Sequence, residues 1–237
     1  MENLTGIVVI VGSYGSGKTE VSINLAVDRK QAGLDVRVAD LDLVNPYFRT
    51  REAKETLSEL EIDLVLPPEK YLQADLPILS PVITGLIRRP SQLTLIDAGG
   101  DHVGATVLAA LADSLRSKFV QMILVVNPFR PFTDTIPGCL NMREEIEKAA
   151  KMRITGIVGN ANMIDETKTD DIYKGYDFVK ALSDKSNLPL EFITVSTELL
   201  PEVSAEHFSC PILPIGRQLV PPWRKAAKFR THNPEMS

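Results

Sequence analysis

Cysteine is scarce in this sequence. Cys139 and Cys210 are the only two in 237 residues. They lie far apart and form no C-x-x-C pair. That argues against a disulfide framework and against a metal cluster held by paired thiols, and it suits a reducing compartment. Histidine is nearly as rare: His102, His207 and His232 show no metal-ligand spacing, so each is expected to be structural or exposed. No apolar run approaches the length of a membrane span, and no secretory leader is visible, so the cytoplasm is the expected location. Basic residues are not in excess. The net charge of −5 argues against broad nucleic-acid binding. Internal repeats, low-complexity stretches and linkers are also missing. What remains, 44% hydrophobic and 24% charged residues, is the composition of a globular chain long enough for one α/β domain with a large core.

The strongest pattern present is Gly12-Ser13-Tyr14-Gly15-Ser16-Gly17-Lys18-Thr19, which fits the phosphate-loop form G-x-x-x-x-G-K-S/T. Its context fits as well. The β-branched run Gly6–Val11 reads as a buried strand before it, and Glu20–Gln31 reads as a helix after it, ending near Gly33. Glycines let backbone N–H groups turn inward around phosphate oxygens, and the helix N-terminus points its positive end at the same anion. Lys18 would reach the β- and γ-phosphates, and the Thr19 hydroxyl would sit on Mg²⁺. The pattern points to a bound nucleoside triphosphate.

Two further strands end in acid. Asp35–Asp42 closes on Asp40-Leu41-Asp42, and Gln92–Asp97 runs into Ala98-Gly99-Gly100. Carboxylates at the C-terminal ends of strands in an open α/β sheet lie where ligands bind. Asp97 has the form of a Walker-B carboxylate, and a following glycine N–H can sense the γ-phosphate. The rest of the chain alternates. A helix runs to about Leu60, a short strand covers Ile62–Leu66, and Leu76–Ile87 is helix or irregular cover. Then come helix Val103–Leu115, strand Phe119–Val126, helix Thr133–Lys151, strand Ile154–Val158, helix Asp170–Ser183 and a last strand, Leu190–Val195. This alternation predicts an α/β fold: a doubly wound, mostly parallel sheet with helices on both faces, as in P-loop NTPases. Residues 1–220 are expected to form one nucleotide-binding domain. Residues 221–237 form a basic tail, read as a terminal helix docked by Trp223 rather than a membrane anchor.

In order and spacing, the phosphate loop, Asp40-Leu41-Asp42 and Leu95-Ile96-Asp97-Ala98-Gly99-Gly100 resemble MinD/ParA-type ATPases of the CobQ/CobB/MinD/ParA superfamily. The resemblance covers roughly the first hundred residues. It implies ATP and Mg²⁺ as cofactors, a homodimer with ATP at its interface, and an unidentified partner protein acted on by the ATP/ADP cycle. By position it implies that Gly12, Ser13, Tyr14, Gly15, Ser16, Gly17, Lys18, Thr19 and Glu20 surround the phosphates. Thr19, Asp40 and Asp97 would serve the metal, and Asp42 would orient the attacking water. Gly99 or Gly100 is the switch glycine, and Asn160 or Asn162 reads the adenine. Ser13 departs from the family, many of whose members carry a second lysine there that reaches the partner subunit's phosphates. Arg49 or Arg51 could supply that charge. Adenine is favoured over guanine because Gly159-Asn160-Ala161-Asn162-Met163 lacks the Lys and Asp of N/T-K-x-D. The alternative is a small-molecule ligase or kinase related to dethiobiotin synthase, whose relatives also lack the second lysine. A non-hydrolysing nucleotide-binding scaffold is a third reading.

Overall fold

The first strand, β1 (Gly6–Val11), alternates between two cores: Ile7, Val9 and Val11 face one side of the sheet, Val8 and Ile10 the other. A strand buried on both faces needs an unbroken apolar run, which is what these residues provide. The computed structural model describes residues 1–42, 54–66, 81–100, 102–116, 118–220 and 226–229. After β1 come α1 (Lys18–Gln31), β2 (Val36–Asp40), α2 (Lys54–Glu59), β3 (Asp63–Val65), α3 (Pro81–Arg88), β4 (Leu93–Asp97) and α4 (His102–Arg116). Then follow β5 (Val120–Val126), α5 (Ile136–Ala150), β6 (Gly156–Gly159), α6 (Thr169–Ser186), β7 (Leu190–Ser196) and β8 (Ile212–Ile215). The strands form one eight-stranded sheet in the order β3-β2-β4-β1-β5-β6-β7-β8. Every pairing is parallel.

Helices α3 to α6 bury Ile83, Leu108, Leu111, Met142, Tyr176 and Val179 against one face. Helices α1 and α2 bury Val21, Leu25 and Leu57 against the other. This is the doubly wound arrangement that the alternation predicts. The chain leaves the central β1 toward β2 and β3 on one side and continues through β5 to β8 on the other. That reversal opens a crevice at the carboxyl ends of the central strands.

Three details correct the sequence reading. Among the described residues the last strand is β8, not β7. Pro214 lies inside β8, opposite Val195 of β7, and an edge strand tolerates a proline that a central one does not. β2 stops at Asp40, so Asp42 lies in the loop beyond it and donates its N–H to Asp40 Oδ1 at 2.9 Å. In the tail, residues 226–229 are not helical. The Ala227 N–H donates to the Arg217 carbonyl at 2.8 Å, Gln218 Nε2 donates to the Ala227 carbonyl at 2.8 Å, and Phe229 packs on the α1 side of the core. Trp223 lies outside the described residues, as do Arg49 and Arg51. Among the described residues, no helix is long and apolar enough to cross a membrane.

Candidate functional site

The loop Gly12–Gly17 joins β1 to α1 at the crevice, and Lys18 and Thr19 open the helix. Lys18 is buried and folds back over the loop, donating from Nζ to the Ser13 carbonyl at 3.0 Å, while the Ser16 N–H donates to the same oxygen at 3.2 Å. Gly17 caps α1 with φ +89°. A Cβ there would run into Asn160 Nδ2, so both the left-handed backbone and the space demand glycine. Gly100, just past β4, approaches from the other side. A Cβ on it would lie 2.5 Å from Lys18 Nζ and 2.9 Å from the Tyr14 nitrogen. The backbone of Gly99 abuts Gly104 of α4.

Register brings the carboxylates together. Asp97 pairs across the sheet with Asp40 on β2 and with Ile10 on β1, directly before the phosphate loop. Burial pushes the Asp97 carboxyl up to about 6, opposed by a hydrogen bond from the Thr19 hydroxyl and by the Lys18 ammonium, and reinforced by the charge of Asp42. Among the described residues, no group of three or more His, Cys, Asp or Glu side chains forms a closed metal cage. The donors present at this corner are a hydroxyl and carboxylates. That hard-oxygen set fits Mg²⁺, which binds one or two carboxylates and completes its shell with water and phosphate.

The remaining predicted residues divide by where their polar atoms point. Asn160, at the end of β6, is buried; it donates from Nδ2 to the Ser16 carbonyl at 2.6 Å and accepts from Thr194 Oγ1 at 2.5 Å. Its amide buttresses the phosphate loop. Asn162 accepts from the Ile164 N–H at 2.5 Å and lines the cavity. Glu20 also lines the cavity, yet its carboxylate receives the N–H groups of Gln218 and Leu219 at 2.7 and 3.1 Å. Burial raises the Glu20 carboxyl above its ordinary range against those bonds. Asn24 Oδ1, one turn on, accepts from the Gly216 N–H at 2.8 Å. Helix α1 thus carries the phosphate loop at its start and clasps the segment after β8 along its side.

The cavity has a volume of about 800 Å³ and runs from Gly15, Lys18, Asp42 and Gly100 to a far wall of Ile164, Thr167, Leu199 and Leu219. Asp165 and Arg217 meet across that far end at 3.3 Å. Sequence reasoning missed Asn127, Arg130, Thr194 and the segment Gly216–Val220. No local pattern marks them, because their partners lie far away in the chain. The cysteines take no part: burial pushes Cys139 up to about 12 and also raises Cys210. His207 packs edge-on among Tyr173, Tyr176 and Phe208, as a structural histidine does.

No protein-family profile matches the chain, and no curated protein matches its sequence. Solved structures do. The chain superposes on FtsY from Mycoplasma mycoides with a TM-score of 0.57 at 22% identity, covering 82% of this chain and 62% of that one. For the cell division protein FtsY of Thermotoga maritima the figures are 0.58, 18%, 80% and 61%. The 54 kDa signal recognition particle protein of Aeropyrum pernix, solved with GDP, gives 0.55 and 18%, over 81% of this chain and 42% of its own. The chain thus spans about 60% of the length of the FtsY structures it matches. At these identities the likeness establishes the fold alone, the α/β P-loop NTPase fold.

Proposed function

We propose that this chain binds ATP with Mg²⁺ and hydrolyses it slowly, as a MinD/ParA-type cytoplasmic switch acting on a partner protein. One observation carries the reading. Lys18, Thr19 and Gly100 line one cavity, and Asp97 at the tip of β4 is buried behind them, hydrogen-bonded by Thr19 and facing the Lys18 charge. Such convergence has little structural purpose without an anion and a cation to hold.

The chemistry is in-line attack of water on the γ-phosphate. Lys18 and the loop N–H groups stabilise charge on the transferring group, and they are already in place before reaction. Asp42, at the cavity wall beside the phosphate end, positions the water. An ordinary carboxylate is a weak base, so orientation is its main contribution. Thr19 and Asp97, with Asp40 behind them, would hold Mg²⁺, whose charge would offset that of the phosphates. ATP is preferred to GTP because the segment after Asn160 lacks the Lys and Asp that read guanine, and Asp165 is already engaged by Arg217. The nucleotide cycle would operate through a homodimer and act on the partner protein.

A small-molecule ligase or kinase is the second reading, and Ser13 favours it: the residue that holds Lys18 through its carbonyl carries no charge of its own. Two assays decide. The Asp42→Ala protein is expected to bind ATP as the parent does and to lose hydrolysis by roughly a hundredfold, the scale of one transition-state contact. Turnover by Asp42→Ala at the parent rate would overturn the role given to Asp42. A burst of phosphate release from the parent only when small carboxylic acids are added would move the assignment to the ligase.

A further inference from the structure

Arg130 stands in the turn after β5, across the cavity wall from the phosphate loop. The turn is tied at each step. The Phe129 N–H donates to Asn127 Oδ1 at 3.0 Å, and the Arg130 N–H donates to the Asn127 carbonyl at 3.2 Å. Thr133 donates from Oγ1 to the Asn127 carbonyl at 2.6 Å and from its N–H to the Arg130 carbonyl at 3.2 Å. A backbone held this way gives the arginine stem a fixed origin. The stem runs back over the loop: its Cδ and Nε lie 3.9 and 3.8 Å from where a Cβ on Gly15 would be. Arg130 lines the same cavity as Gly15, Gly17, Lys18 and Gly100.

The guanidinium is poorly matched by the protein. Its Nε is buried and meets no acceptor among the described residues. No carboxylate among the described residues pairs with it within salt-bridge distance. Keeping a donor dry without a partner is unfavourable, so the arrangement anticipates an acceptor from outside. A planar fork of N–H groups beside an amide-lined loop matches phosphate oxygens.

We infer that Arg130 is a phosphate-contacting residue acting in cis: it supplies from the same chain the positive charge that Ser13 lacks. This inference rests on the nucleotide reading above and adds a residue to it. Its contribution grows with the charge on the phosphate chain, so it favours a triphosphate over AMP.

The test uses the full chain with Arg130→Ala and Arg130→Lys, titrated with a slowly hydrolysed ATP analogue, ADP and AMP in magnesium buffer. Arg130→Ala is expected to weaken the analogue by roughly ten- to a hundredfold, the scale of a charge-assisted hydrogen bond. AMP should shift far less, and the ligand-free melting temperature should not fall. Arg130→Lys keeps the charge and loses the fork, so it should fall between parent and alanine. Equal affinity of parent and Arg130→Ala for the analogue would overturn the inference and leave the nucleotide reading standing. Equal losses for all three nucleotides with a lowered melting temperature would also overturn it, by showing a structural role. A parent that binds no nucleotide would end both.

Discussion

Lys18 is only 7% exposed, and its ammonium rests on the Ser13 carbonyl until a better acceptor arrives. Replacing it with alanine is expected to weaken ATP binding by roughly a hundredfold and to abolish measurable turnover, since the proposed function has it contact phosphate in both ground and transition states. Filter binding and phosphate release check the two halves. Gly17→Ala is a different loss. The left-handed φ of +89° and the Asn160 amide both oppose a methyl group, a cost of about 1–3 kcal/mol. In a chain of this size each kcal/mol lowers the melting temperature by roughly 2–4 °C, so a thermal melt should detect it. The phosphate loop was legible because its geometry is local: glycine spacing, lysine and hydroxyl all lie within one turn. Asn160 was legible as polar and well placed, but not as the residue that holds the Ser16 carbonyl from 144 positions away. Its orientation is set by the β6–β7 pairing and by Thr194, which no pattern around residue 160 records.

Among elements, α5 and β6 are joined by a buried carboxylate that the site does not use. Glu147 accepts from the Ile154 N–H at 2.9 Å, from Arg143 Nε at 3.2 Å and from Arg153 at 3.0 Å. Burial pushes its carboxyl up, but these donors outweigh burial and hold it below its ordinary value near 4.5. A lowered folded-state value means the stabilisation is present above that ordinary value and is lost as pH falls through the folded one. Glu147→Gln is therefore expected to cost about 1–3 kcal/mol at pH 7, with the difference from the parent shrinking below pH 4.5. Denaturant melts at several pH values measure it, and a difference independent of pH would contradict the assignment. The strands and helices themselves were largely legible, because parallel strands buried on both faces must be continuous apolar runs. β8 escaped because Pro214 reads as a strand breaker, which is true in a sheet interior and not at its edge. Glu20, placed beside the phosphates by sequence position alone, turned toward Gln218 and Leu219 for a reason only the tertiary fold supplies.

At the scale of the whole molecule, the eight-stranded sheet places the phosphate loop, Asp40 and Asp97 at one edge and closes the far side of the cavity with the segment after β8. Folding and binding are then linked: magnesium and ATP at one hundred times the dissociation constant should stabilise the chain by about 2.7 kcal/mol. The Lys18→Ala protein, binding roughly a hundredfold more weakly, should gain only about 0.4 kcal/mol at the same concentrations. The most direct measurement of the central claim is titration calorimetry of the parent chain with a slow ATP analogue, with and without magnesium, and with the GTP analogue alongside. The account predicts saturable heat with the ATP analogue, weaker binding when magnesium is withheld, and a lower affinity for the GTP analogue. No heat with either analogue in magnesium buffer would contradict it.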